Sequence, residues 1–383
     1  MTQQHHTLLR QLEQLVSVPS VSSTEVEWDQ GNIGVINLLA QWLDDMGFAV
    51  QVLPLPGKRD KANLIATLGT GPGGLVFSGH TDTVPFDDAR WNTDPFTLKE
   101  ADGRLYGLGV TDMKGFFPIA LEAARGLQPE LLQSPLIILA TADEESSMDG
   151  ARQLVRQGLP KARYAVIGEP TGLRPVRSHK GIMMESVEVT GRSGHSSNPA
   201  LGANALDGMH RVLSELMAFR TQLQQQYNDP GFEVAIPTMN LASIHGGDSP
   251  NRICGHCETR FDLRLLPGME IEEMRAGIDD RLLQLSLETG LKIERHALID
   301  GVSPFAEDSE NEIIKAAEKL SGHSAQSVAF ATEGPFLQQL GMQTVVMGPG
   351  SIDQAHQPDE HMAIAQINPA IDLLRSMIHQ FCL

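Results

Sequence analysis

Four short apolar runs in this chain each lead into an acid or a histidine, and that repetition narrows the folds open to it. Leu75-Val76-Phe77 leads into Gly79-His80-Thr81-Asp82-Thr83-Val84-Pro85. Leu136-Ile137-Ile138-Leu139-Ala140 leads into Asp143-Glu144-Glu145, and Tyr164-Ala165-Val166-Ile167 into Gly168-Glu169-Pro170-Thr171. Thr344-Val345-Val346-Met347 leads into Gly348-Pro349-Gly350-Ser351 and then His356. Short continuous apolar runs read as strands buried on both faces, as in sheets covered by helices. Open α/β sheets collect their chemistry at the carboxyl edge of such strands. The expected fold is therefore α/β, a mixed central sheet flanked by helices, with the polar groups at one edge.

The rest of the chain fits around that sheet. Leu8, Leu12, Leu15 and Val16 have helical spacing and Pro19 ends their helix. A second helix is expected from Gly31 to Met46, capped by Gly47, and further helices over 116–126, 311–320 and 369–381. Phe48–Leu53 and Asn63–Leu68 read as strands, and Trp91–Leu105 as a polar loop and hairpin. The glycines between Gly69 and Gly74 contain no Gly-x-Gly-x-x-Gly leading into a helix, which argues against a nucleotide cradle. Between Gly181 and Leu291 the texture changes to β-α-β-β-α-β, the split-βαβ (ferredoxin-like) α+β arrangement. Candidate ligands lie on both sides of it, so it reads as an insertion. The expected domains are 1–181 plus 292–383, and an inserted domain over 182–291.

The chain has 383 residues and a formal net charge of −19. That charge argues against nucleic acid and anionic membranes as partners. Three cysteines, Cys254, Cys257 and Cys382, make no disulfide framework and point to a reducing compartment. Met1-Thr2-Gln3-Gln4-His5-His6 lacks a basic and apolar leader pattern, and a cytoplasmic location is expected. Cys254 and Cys257 lie three apart on an expected strand over 253–265, hence on opposite faces. His5, His6, His179, His210 and His245 have no partner spacing and read as surface or loop residues.

His80, Asp112, Glu144, Glu145, Glu169 and His356 form the candidate constellation. Asp112 stands in the glycine-flanked stretch Tyr106–Gly115 before an apolar helix, where it reads either as an N-cap or as a ligand. Histidines and carboxylates on one edge suit zinc or a similar divalent ion. Two ions sharing a carboxylate account for the count better than one, because unneutralised acids at short range would repel. One acid must stay free, to take a proton from attacking water and pass it to the leaving nitrogen. Adjacent Glu144 and Glu145 can divide these tasks, and Asp82 can accept the spare N–H of His80.

These stretches, in this order over essentially the whole chain, resemble the co-catalytic dizinc amidohydrolases of the aminoacylase/carboxypeptidase G2 type. The resemblance implies His80 and Glu169 on one metal, Glu145 and His356 on the other, and Asp112 bridging. It implies Asp82 orienting His80, Glu144 as general base, two divalent ions (Zn2+, with Co2+ an option), and a homodimer through an inserted dimerisation or lid domain. The implied reaction is removal of an acyl group from an amino-acid nitrogen. Four flanks carry the substrate within that family: Thr141–Met148, Pro175–Gly181, Asn251-Arg252-Ile253-Cys254 and Gly348–Glu360.

The same resemblance implies that His195, in Gly194-His195-Ser196-Ser197, reaches the partner subunit's site and holds the oxyanion; a polar turn is the other reading. Arg264 can fork onto a substrate carboxylate or pair within the sheet, and Asn251 can contact substrate or shape its loop. Glu333, after an expected strand, is either a carboxylate for a substrate's cationic end or a surface glutamate.

Overall fold

The computed structural model describes residues 3–383; Met1, Thr2 and the side chains of residues 3–5 and 88 lie outside it. The leader reading at Met1-Thr2 and the exposure of His5 therefore fall outside the described residues. The chain forms two compact units. The first comprises the chain up to Arg177 together with Glu307–Gln326 and Thr332–Leu383, and the second Ser178–Ala306 with Ser327–Ala331.

In the first unit the sheet runs Ala49–Pro54, Ala62–Leu68, Leu136–Thr141, Leu75–His80, Tyr164–Pro170, Gln343–Gly348. The first two are antiparallel to their neighbours and the last four are mutually parallel, so the sheet is mixed. Three of those four are buried along their whole length, which their apolar runs require. Leu75, Phe77, Leu136, Ile138, Val166, Val345 and Met347 join one core with residues of the helices Gln3–Val16, Ile33–Asp45, Phe116–Ala124, Glu312–Ser321 and Ile367–Phe381. Being parallel and adjacent, the four strands deliver His80, Thr141, Pro170 and Gly348 to one edge.

Two details differ from expectation. Glu169 lies inside its strand, which continues to Pro170. His80 is itself the last residue of its strand, opposite Thr141 in register.

The second unit has its own core and an antiparallel sheet ordered Thr238–Gly246, His256–Leu265, Gly181–Thr190, Lys292–Ala297. Helices Ala205–Gln226 and Ile271–Thr289 supply the rest of that core, with Asn204 capping the first through Leu206 N–H at 3.0 Å. Along His256–Leu265, Cys257, Thr259, Phe261, Leu263 and Leu265 are buried while the residues between them are not, the period of a sheet covered on one face. The unit spans more than 182–291 because Val302 pairs with Ile182 and Leu298 N–H donates to Met184, holding the following segment to the sheet.

Cys254 lies in the loop before His256, so strand alternation does not apply, and both it and Cys257 are buried in the same core. His179 is buried, its ring 5.2 Å from that of Phe305, rather than at the surface. No helix among the described residues is long and apolar enough to cross a membrane.

Gly168 tests the packing beside Glu169. A Cβ there would lie 2.2 Å from the enclosed ring of Phe116. Gly168→Ala is expected to cost about 1–3 kcal/mol, the scale of overpacking, read as a lower urea midpoint. An unchanged midpoint would contradict this close approach.

Candidate metal centre

The ring of His80 leaves its strand with two different surroundings. Nδ1 is 2.9 Å from the main-chain carbonyl of Asp82 and 3.8 Å from its carboxylate. The orienting acceptor is thus the carbonyl, not the expected carboxylate, because the chain turns after His80 and presents the backbone first. Nδ1 donates there, which leaves a lone pair on Nε2. Nε2 faces Asp112 Oδ1 at 3.1 Å and Glu169 Oε1 at 3.9 Å. Asp82 uses its own Oδ2 to accept the Glu145 N–H at 3.0 Å, tying two strand exits together, and its buried Oδ1 has no partner. Burial pushes the Asp82 carboxyl up to about 6.

The turn after Leu136–Thr141 separates the three consecutive acids. Asp143 adopts φ of +62°, and its carbonyl accepts the N–H groups of Ser147 and Met148. Its enclosed carboxylate accepts from Ser22 and pairs with buried Lys61, so it is committed away from the edge. Glu145 faces His356, with 3.1 Å from Oε1 to Nε2. Glu144, half-buried, is bonded to neither histidine. Burial lifts its pKa well above the usual range, and Glu169, Glu145 and Glu333 add to that while His80 opposes it. Burial and then Asp112 do the same to Glu169.

Asp112 lies between the two histidines. Its Oδ1 faces His80 and its Oδ2 is 3.3 Å from His356 Nε2. Burial opposes its charge, but the hydrogen bonds with His356 and His80 outweigh it and hold the carboxyl well below the usual range. Its bonds to Asp112 and Glu145 raise His356 to about 10. His356 itself adopts φ of +59°, a left-handed conformation that costs a non-glycine residue about 1–3 kcal/mol.

This arrangement fits a pair of divalent cations. Two imidazole nitrogens meet only carboxylate oxygens, and ligand atoms of His80, Asp112 and Glu145 all lie within 4.8 Å of one another. Nitrogen and carboxylate donors are those of zinc and its neighbours. The donors fall into two trios that share Asp112, one with His80 and Glu169, the other with His356 and Glu145. A cavity of about 240 Å³ opens beside His356, walled by Trp28, Phe86, Trp91 and Leu108.

Glu333 stands beside the exit of strand Leu136–Thr141. It precedes the helix Gly334–Gln339 and is 1% exposed. Its carboxylate accepts from Thr141 Oγ1 at 3.0 Å, and burial pushes it up to about 7. A carboxylate so enclosed is not a surface glutamate, and its second oxygen, Oε1, accepts no hydrogen bond.

In the second unit His195 is exposed. Ser197 N–H donates to its Nδ1 at 3.2 Å, so the ring proton sits on Nε2. Asn251 shares its loop cluster, with Ser196 N–H donating to the Asn251 carbonyl. Arg264, at the other end of the strand, pairs with Asp262 at 2.9 Å, which is the in-sheet reading.

Lys61 and Ser22 escaped sequence reasoning. A lysine beside a strand carries no mark that distinguishes a buried counter-ion from a solvated one.

The model of peptidase family M20/M25/M40 matches residues 76–380. An acetylornithine deacetylase of Proteus mirabilis is 45% identical over 377 residues, covering 98% of this chain and 97% of that one. One from Pectobacterium atrosepticum is 46% identical over 368 residues, covering 96% of each. Among solved structures, an M20 family metallo-carboxypeptidase from Sulfolobus solfataricus superposes with a TM-score of 0.77 at 19% identity, covering 100% and 99% of the two chains. A dinuclear metal-binding M20 peptidase from Bacillus subtilis gives 0.67 at 15%, covering 99% of each. At these identities the two structures speak for the fold alone.

Lys61→Met would leave buried Asp143 with only the partly exposed Lys58, 3.7 Å away, in place of its buried counter-ion. Breaking a buried pair from one side costs about 3–5 kcal/mol, and a urea midpoint should fall accordingly. A variant as stable as the parent would contradict the anchoring role of this pair.

Proposed function

The chain belongs to peptidase family M20/M25/M40, and from that premise we propose that it hydrolyses N2-acetyl-L-ornithine to L-ornithine and acetate. The reading is carried by full-length relatives at 45% identity named for that activity, above a site whose donors suit amide hydrolysis. It would supply ornithine for arginine synthesis.

In this reading His80 and Glu169 would hold one ion, Glu145 and His356 the other, and Asp112 would serve both. When bound, the divalent ions, Zn2+ first and Co2+ as the alternative, acidify the attacking water and polarise the amide carbonyl. Asp82 keeps His80 and the Glu145 turn in register through its carbonyl and carboxylate. Glu144, beside a ligand but bonded to neither histidine, takes the proton from water as oxygen attacks the acetyl carbon. The C–N bond then breaks as Glu144 returns that proton to the leaving nitrogen. His195 donates from Nε2 to the oxyanion, and Asn251, in the same loop cluster, orients the substrate.

His195 acts on the site of a second copy in this account, so the enzyme is a homodimer through the inserted domain. Two features favour such pairing: Thr238–Gly246 is an edge strand, and Leu206, Met217 and Ile244 are exposed apolar side chains. Three free cysteines favour a reducing cytoplasm.

A metal-loaded enzyme assayed on acetylornithine, succinyl-diaminopimelate, acetylmethionine and a dipeptide should prefer the first. Preference for another would overturn the substrate while leaving the hydrolase. Glu144→Gln should lose about 10²–10⁴-fold in turnover with bound metal unchanged. His195→Ala should lose about 10²–10³-fold, again with full metal content. Wild-type turnover in either variant would remove that residue from the mechanism.

A further inference from the structure

Four residues beyond His356, Glu360 is 2% exposed, and main-chain N–H groups of a single turn occupy both of its carboxylate oxygens. Oε1 accepts from Thr111 at 2.7 Å and Asp112 at 2.9 Å, and Oε2 from Gly109 at 2.9 Å. Both oxygens thus serve as acceptors inside a nest of N–H dipoles. Further ties join the same two segments. Gly107 N–H donates to the Glu360 carbonyl at 3.1 Å, and Thr111 Oγ1 to the His361 carbonyl at 2.7 Å. Strand His361–Ala363 then pairs antiparallel with Arg104–Tyr106.

The two trios differ in what supports them. His80 and Glu169 stand on strands of the central sheet, fixed by its ladder. Asp112, Glu145 and His356 all stand on turns. The 3.3 Å approach of Asp112 to His356 is therefore set by the links between their segments, not by sheet register.

We propose that Glu360 is a positioning residue that locks the Asp112 turn to the His356 segment and so builds the metal position these two share with Glu145. This rests on the reading above that Asp112 and His356 are ligands. Glu360→Gln puts an NH2 group where an oxygen accepted, so one side of the nest faces donor to donor at unchanged size. Groups that orient ligands in this way are worth about 10–100-fold in metal affinity.

The test titrates metal-free protein with Co2+, following visible absorption and counting bound metal by atomic emission. Wild type should bind two ions per chain. E360Q should bind its second ion about 10–100-fold more weakly and its first with a clearly smaller loss, since Asp112 serves both but His80 and Glu169 stand on the sheet. Thr111→Val, nearly isosteric and lacking only the hydroxyl tie to His361, should weaken the second ion alone and by less. It carries the test if E360Q does not fold. Equal weakening of both ions, or of neither, in a folded variant overturns the clamp. A wild type that binds fewer than two ions overturns the ligand reading instead.

Discussion

Repulsion among buried carboxylates is the constraint on which the rest of the first unit turns. Asp112, Glu144, Glu145 and Glu169 converge on one edge with two histidines between them. Two like charges about 4 Å apart cost on the order of 4 kcal/mol at an effective dielectric of 20. Burial first, and that repulsion after it, raises Glu144 and Glu169, while hydrogen bonds from the imidazoles hold Asp112 low against its own burial. Divalent cations relieve it altogether. Asp143 shows the alternative, since it is neutralised by Lys61 from behind and is withdrawn from the edge. That division decides which of three consecutive acids is free for chemistry.

Topology makes the convergence possible. Only adjacent parallel strands deliver their exits to the same edge, and here the four central ones are parallel while antiparallel strands flank them on either side. The turns beyond the strands then do the fine placement. Several are locked by side chains rather than by the ladder: Asp82 on the Glu145 N–H, Asp143 on Ser22, and Glu360 on the Gly109–Asp112 turn. The left-handed conformations of Asp143 and His356 are the local cost of aiming side chains inward from such turns.

What could be read in advance was whatever depends on local pattern. Apolar runs such as Leu136–Ala140 mark strands buried on both faces, and the β-α-β-β-α-β alternation marks the second unit's elements. The order of the motifs, with the family they resemble, pointed to the site. What could not be read depends on partners distant in sequence. Nothing near Glu333 indicates that the Thr141 hydroxyl donates to it, nor near Arg264 that its Nε pairs with Asp262. His-x-Asp allowed two acceptors for His80, and only the turn geometry selects the Asp82 carbonyl. Cys254 falls outside the strand, which begins at His256 rather than at Ile253, where the apolar alternation starts.

In the proposed reaction Asp112 would be the carboxylate shared by two divalent ions at the carboxyl edge of the sheet. Diffraction from zinc-loaded crystals, measured on both sides of the zinc absorption edge, tests it most directly. The account predicts two anomalous peaks flanking the Asp112 carboxylate, one beside His80 and Glu169 and the other beside His356 and Glu145. A single peak, or peaks away from Asp112, would contradict it.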